Sequence, residues 1–223
     1  MSIQLNPEII REQFAIFGCA QLSDAAPQFV QVLDHLNIAQ RVPGKKIAGP
    51  AFPVITLNDM LPCLQALQAA PTDSVIFIHN DIAESEALAG DIYVTAALNQ
   101  GIAGLIVNGA IRDIDSLSEI GLPVYSKTIN YVSAKTAKVP AVTVPSIIDK
   151  SDYKLQAGDW IFADADGMLS IKAEHVSAVF KSALLLRQRE EELKKCLSAG
   201  ERLDVICGLT DFLEGRSKLK FDV

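Results

Sequence analysis

Arg112 and Asp113 stand where an apolar run ends. Ala103-Gly-Leu-Ile-Val-Asn108 gives way to Gly109-Ala-Ile-Arg112-Asp113, and helical periodicity resumes at Ile114. A buried strand that ends in a glycine turn before a helix holds both charges at the mouth of a sheet, beside helix-start N–H groups that favour anions. Arginine offers a planar fork for a carboxylate, and an adjacent aspartate can hold a hard divalent cation. Taken alone, an Arg-Asp pair reads as a surface salt bridge. Gly90-Asp91 shifts that reading. Twenty uncharged residues separate Asp91 from Arg112, and Asp91 opens the helix that precedes the strand. A right-handed crossover returns the start of that helix near the same mouth, so three ionisable groups converge where the scaffold otherwise excludes charge. Solvated loops at opposite ends of the unit are the competing arrangement.

The elements that position these groups follow from periodicity and punctuation. Asn6-Pro7 opens a helix with Ile9, Ile10, Phe14 and Phe17 on one face and Gly18 as its stop. A second helix is expected from Ser23-Asp24 to Leu36. Ile47 to Leu57 is strand-like, with Pro50 and Pro53 confining it to an edge or bulge, and Asn58-Asp59 caps a helix carrying Leu61, Leu64 and Leu67. Then come a strand at Ser74 to His79, a helix at Asp91 to Gln100, a strand at Ala103 to Asn108, a short helix at Ile114 to Ile120 and a strand at Pro123 to Lys127. Apolar runs alternating with helices imply parallel pairing. Short strands are expected at Val139 to Val144, Tyr153 to Leu155, Trp160 to Ala163 and Met168 to Ile171, turned at Gly158-Asp159 and Asp166-Gly167. A long helix follows from Ala173 to Ala199, with Val176, Val179, Phe180, Ala183 and Leu184 on one face. Its charged far half, Arg187 to Lys195, reads as a solvated face, with an arm against a neighbouring subunit as the alternative. The sequence reads as one α/β domain over 1–223, with a core of about 20–172 and a helical C-terminal extension of about 173–223.

Composition excludes several classes. The chain of 223 residues is 49% hydrophobic with a net charge of −7, so it lacks the basic footprint of a nucleic-acid binder. Mean hydropathy of +0.24 hints at apolar surface buried between subunits. The uncharged run from Ile92 to Ile111 has the length of a membrane helix, but Asn99-Gln100-Gly101 divides it into helix, turn and strand. With no signal-peptide pattern at the start, a cytoplasmic protein with no membrane partner is expected. Cys19, Cys63, Cys196 and Cys207 show neither zinc nor disulfide spacing. Dinucleotide, phosphate-loop, hydrolase and zincin signatures are absent. Of three histidines, His35 reads as a surface residue beside Asp34 and His175 as a structural one. His79 ends a strand before Asn80-Asp81, where α/β sheets bind ligands; it either lines a site or bonds nearby backbone. Asp164-Ala-Asp166-Gly167 imitates a calcium loop but lacks its later ligands, so it is read as a turn.

The stretch Gly90-Asp91-Ile-Tyr-Val-Thr-Ala-Ala97 through Gly109-Ala-Ile-Arg112-Asp113-Ile-Asp115 resembles the D-x20-R-D signature of the 4-hydroxy-4-methyl-2-oxoglutarate / 4-carboxy-4-hydroxy-2-oxoadipate aldolase family. That family shares its fold with the regulator of ribonuclease activity A. Leu22-Ser-Asp24-Ala25, Gly49-Pro50-Ala51, Gly121-Leu-Pro-Val124 and Ala157 to Gly167 extend the likeness from about Leu22 to about Gly200. The resemblance implies an α/β/β/α sandwich of the swivelling-domain type, trimers or hexamers with sites between subunits, and metal-dependent cleavage of an oxoacid to pyruvate with oxaloacetate decarboxylation as side activity. Carried over, Asp113 ligates Mg²⁺ or Mn²⁺, Arg112 binds the pyruvyl part and stabilises its enolate, and Asp91 orients a metal-bound water that shuttles the proton. Backbone N–H groups of Gly90, Asp91, Ile92 and Tyr93 hold the carboxylate. Glu190, Glu191 and Glu192 are candidates for the acidic residue given by a partner subunit. The alternatives are a regulatory binding protein of the same fold, which typically lacks an aspartate at position 113, and a lyase for another oxoacid. This sequence departs from the family at Tyr93, usually aliphatic, at Asn80 to Ala87, which lacks glycines, and at Ser151 to Lys154.

Overall fold

Ten strands and seven α-helices occupy the described residues, 6–82, 85–136 and 143–219, of a computed structural model. In chain order these are α1 (Pro7–Ala25), β1 (Val30–Val32), β2 (Ala39–Gln40), β3 (Ile47–Thr56), α2 (Met60–Ala69), β4 (Val75–Asn80), α3 (Asp91–Asn99), β5 (Gly104–Ile111), α4 (Ile114–Ile120), β6 (Val124–Ile129), β7 (Ile148–Asp149), β8 (Lys154–Leu155), β9 (Trp160–Ala163), β10 (Met168–Ile171), α5 (Ala173–Ser198), α6 (Leu203–Ile206) and α7 (Leu209–Leu213). Eight strands hydrogen-bond in the order β1-β10-β9-β3-β4-β5-β6-β2, while β7 and β8 form a separate pair.

The long strand β3 changes partner halfway. Ile47 to Pro50 pair antiparallel with β9, and Ala51 to Thr56 pair parallel with β4. The sheet folds over at this junction into two layers. Phe77, Ile106 and Tyr125 of the parallel half meet Ile161, Ala163 and Met168 of the antiparallel half in a shared apolar layer. Helices α2, α3 and α4 cover the outside of the parallel half, and α1 and α5 cover the other, with Phe17 and Phe162 both packed on Phe180. This is the α/β/β/α sandwich. Every residue of β4 and β5 is buried, because both faces of these strands are covered.

The prolines of β3 sit in a central strand, not the expected edge. Each half of β3 nevertheless leaves one flank without a strand. The Pro53 carbonyl accepts from the Ser146 N–H at 2.8 Å and the Ile55 N–H donates to Ser146 Oγ at 3.2 Å. A loop covers that flank where proline lacks its donor.

The expected helix from Ser23 to Leu36 does not form. Gly18, non-helical at φ 74° and ψ 176°, interrupts α1 as the expected stop, and the short helical stretch after it ends at Ala25. The segment then makes a 3-10 turn at Pro27–Phe29, strand β1 paired with β10, and a second 3-10 turn at Asp34–Leu36. Met168 supplies the partner that local periodicity cannot reveal, since its N–H donates to Asp34 Oδ1 at 2.8 Å. Ile9, Leu64 and Leu184 were expected on packed faces and are exposed; Leu186 is buried in α5 instead. Of the strand expected at Val139 to Val144, residues 139–142 lie outside the described residues, and 143–144 are not in a strand.

Candidate active site

The polypeptide just before α3 extends the parallel sheet. The Leu88 N–H donates to the Ala110 carbonyl at 2.9 Å and the Arg112 N–H to the Ala89 carbonyl at 3.0 Å, with Ala87 bridged to both Ala110 and Ser133. Residues 87–89 thus run beside the end of β5, which delivers Gly90 against Arg112. The hydrogen-bond register is what converts a separation of twenty residues into contact. Gly109 permits this approach, because a Cβ there would lie 3.1 Å from Asn80 Cβ and 3.3 Å from Leu88 Cδ1.

Asp113 caps α4 in a left-handed conformation, φ 61° and ψ 37°, an uncommon state for a residue with a side chain. Its Oδ2 lies 3.2 Å from Arg112 Nε and accepts a long contact, 3.4 Å, from the Asp91 N–H. The Asp91 carboxylate accepts from the Ile92 N–H at 2.7 Å. A Cβ at Gly90 would fall on the Asp113 carboxylate and lie 3.0 Å from Arg112 Cγ, so position 90 leaves no room for a side chain. Asp91, Arg112 and Asp113 are therefore gathered at one place, as expected. Asp113 is paired with Arg112 at the rim of a cleft.

That cleft, about 250 Å³, lies between α2 and α3 and is lined by Gly90, Asp91, Ile92, Tyr93 and Arg112 with Met60, Leu64 and Leu67 of α2. Ile92 is 78% exposed. The Tyr93 side chain is buried, and its hydroxyl donates to the Cys63 carbonyl at 2.8 Å; burial raises the pKa of that phenol. Tyr93 thus ties α3 to α2 with its ring, leaving only its backbone at the helix start. Sequence reasoning missed the α2 residues as a cleft wall. No sequence signal marked Leu64 as exposed, since its spacing with Leu61 and Leu67 is that of a core stripe.

Asp113 Oδ1 accepts no hydrogen bond among the described residues. No group of three or more His, Cys, Asp or Glu placed to hold an ion occurs among the described residues. One open carboxylate suits a hard cation that keeps most of its waters, such as Mg²⁺ or Mn²⁺, rather than an ion needing a full protein cage.

The remaining candidates separate from this site. His79 faces the layer between the two sheet halves. Its Nδ1 meets the Tyr153 hydroxyl at 2.7 Å and Asn108 Nδ2 at 2.9 Å, and its Nε2 lies 3.3 Å from Asp81. The imidazole is thus engaged at both ring nitrogens, and desolvation holds it below its ordinary pKa. His35 pairs with Asp152, and His175 stacks on Phe29. Asp164 accepts from the N–H groups of Cys19 and Asp166, as befits a turn. Glu190 bonds Gln21, and Glu191 lies near Arg187 and Lys194. No helix among the described residues is long and apolar enough to cross a membrane.

The family model described as RraA-like: Aldolase/RraA matches residues 19–169. "Protein DlpA" of Legionella pneumophila is 28% identical over 86% of this chain, which spans only 32% of that protein's length. A Halalkalibacterium halodurans protein named "Putative 4-hydroxy-4-methyl-2-oxoglutarate aldolase" is 29% identical over 69% of this chain and 72% of its own. The RNA-processing inhibitor RraA of Thermus thermophilis superposes with a TM-score of 0.61 at 21% identity, covering 68% of this chain and 90% of that one. At that identity the likeness speaks for the fold.

Proposed function

Since the chain belongs to the RraA-like (Aldolase/RraA) family, we propose that it is a divalent-metal-dependent carbon–carbon lyase. It cleaves a 4-hydroxy-2-oxoacid, the class that includes 4-hydroxy-4-methyl-2-oxoglutarate, and decarboxylates oxaloacetate as a side activity. The observation that carries this reading is the convergence of Asp91, Arg112 and Asp113 around a glycine with no room for a Cβ.

Retro-aldol cleavage breaks the C3–C4 bond. The 4-hydroxyl loses its proton and becomes a carbonyl, the electron pair moves toward the C2 oxygen, and C3 later gains a proton to give pyruvate. The Arg112 guanidinium binds the oxoacid and aims its charge at the oxygen where negative charge grows, an interaction stronger in the transition state than in the ground state. The start of α3 holds the carboxylate through its N–H groups. Asp91, at the same place, holds the proton leaving the 4-hydroxyl, directly or through a water, a role typically worth about 10²–10⁴-fold. Asp113 would hold the divalent cation, which would supply Lewis-acid stabilisation of the developing negative charge. Loss of carbon dioxide from oxaloacetate develops the same charge, so the same residues serve it. The protein works as a trimer or hexamer in this reading, with neighbouring subunits closing the exposed side of the cleft.

The test is pyruvate release from 4-hydroxy-4-methyl-2-oxoglutarate and from oxaloacetate, with Mg²⁺ and then with excess chelator. Release above the metal-only background that the chelator abolishes is expected. A folded protein that binds no metal and releases no pyruvate would move the reading to a regulatory binding protein.

A further inference from the structure

Residues 87–89, which deliver Gly90 and Asp91, are held from two sides. One side is the end of β5. On the other, the Ala87 N–H donates to the Val132 carbonyl at 2.6 Å, and the Ala134 N–H donates to the Ala87 carbonyl at 3.0 Å. Asn130 stands where these two supports meet. Its backbone N–H donates to the carbonyl of Ile111, the residue before Arg112, at 2.9 Å. Its side-chain Nδ2 donates to the Ser85 carbonyl at 2.8 Å, and its Oδ1 accepts from the Val132 N–H at 2.9 Å. Only this orientation of the carboxamide satisfies both an N–H and a carbonyl. The bond to Val132 closes a local turn of the kind asparagine favours, which sets the Val132 carbonyl toward Ala87. Asn130 does not itself line the cleft.

We propose that Asn130 is the positioning residue that sets Asp91 against Arg112 and Asp113. Its backbone is fixed to the strand that presents Arg112, and its carboxamide to the segment that presents Asp91. One residue therefore carries the alignment of the two halves of the site. The effect on rate rests on the lyase reading, whereas the alignment itself does not. Alanine at 130 removes the side-chain partner of both the Ser85 carbonyl and the Val132 N–H, and the segment leading to Asp91 is then held from β5 alone. A shift of about 1 Å between Asp91 and Arg112 can cost about 10²-fold in rate. Asp113 is placed by Arg112 and the start of α4, so metal binding lies outside the reach of this change. Aspartate at 130 keeps the acceptor for Val132 but sets a carboxylate oxygen against the Ser85 carbonyl, and it regains a donor only when protonated.

Amide hydrogen exchange of the full chain reads the alignment without chemistry, and pyruvate release from 4-hydroxy-4-methyl-2-oxoglutarate in Mg²⁺ reads its consequence. In Asn130→Ala we expect the Leu88 and Arg112 N–H groups to exchange about tenfold faster or more, while those of β4 keep their wild-type rates. We expect kcat/KM to fall about 10²-fold with Mg²⁺ affinity held within about threefold. The activity of Asn130→Asp relative to wild type should rise as pH falls and its carboxyl gains a proton, a profile that lost stability alone does not produce. Unchanged exchange at Leu88 and Arg112 overturns the inference, with the lyase reading intact if the wild type releases pyruvate. Faster exchange with an unchanged kcat/KM also overturns it, because the bonds to β5 then suffice. Faster exchange in a chain whose wild type releases no pyruvate supports the alignment and refutes the lyase. If Asn130→Ala does not fold, Asn130→Asp carries the same measurements.

Discussion

Replacing Gly90 by alanine isolates the geometry of the site from the stability of the fold. The backbone there is extended, φ −151° and ψ −164°, a conformation any residue adopts, so alanine introduces no backbone strain. All of its cost falls on two side chains. The new Cβ lands on the Asp113 carboxylate and lies 3.0 Å from Arg112 Cγ and 3.2 Å from Arg112 Nε. Restoring ordinary contact requires the carboxylate to retreat by about 1 Å, a misplacement that can cost about 10²-fold in rate. That loss in kcat/KM corresponds to about 2.7 kcal/mol of transition-state stabilisation. Folding is nearly unaffected: both side chains are more than a third exposed and move into solvent, while the loss of glycine's unfolded-state freedom offsets about 0.4–1 kcal/mol of the remaining strain. The assay couples pyruvate release to NADH oxidation by lactate dehydrogenase, alongside a thermal melt. Gly90→Ala with a kcat/KM within about threefold of wild type would refute the reasoning, because the Asp113 carboxylate could then not be working where the structure puts it.

Asp113→Gly relieves the left-handed backbone at φ 61°; it should raise stability by up to about 1 kcal/mol while pyruvate release falls to background, and a lowered Tm would contradict stored strain at that residue. Gly18→Ala forces a Cβ to 2.7 Å from Asp164 Oδ2 at φ 74°, so the urea midpoint should fall by the equivalent of about 1–3 kcal/mol with activity below the transition unchanged; an unshifted midpoint refutes it. Burial holds His79 below its ordinary 6.5, so the unfolded chain takes up the proton first as pH falls. Its contribution to stability is complete above that ordinary value and is lost as pH falls through the folded-state value. His79→Gln should therefore flatten the change in urea midpoint between about pH 7.5 and about pH 5.5, and an unchanged slope would assign the acid sensitivity elsewhere.

The alternation of strands and helices from Ser74 to Lys127 was legible because each strand is buried on both faces and therefore reads as an uninterrupted apolar run. The meeting of Asp91 with Arg112 was legible for the same reason: a crossover of uncharged residues has one way to pack. What escaped was set by distant partners. Val30 to Val32 form a strand because β10, opposite Val30 at Ile171, offers them an edge, and no local period announces that. The two prolines of β3 pointed correctly to a missing partner, yet an edge and a strand that trades partners halfway leave the same mark. Tyr93 was read beside the carboxylate site, whereas the phase of α3 turns its ring toward Cys63. The α2 wall of the cleft looked like core because an exposed leucine and a buried one are the same letter.

The exchange of partners along β3 also sets an order of events during synthesis. The parallel half is complete once Ile129 has emerged, but its inner face, Phe77, Ile106 and Tyr125, is covered only by strands ending at Ile171, 42 residues later. At cellular elongation rates this interval lasts about 2–8 s. Through it an apolar sheet face stands open on a nascent chain, so the translation speed of that stretch governs how much of the protein escapes capture by its neighbours.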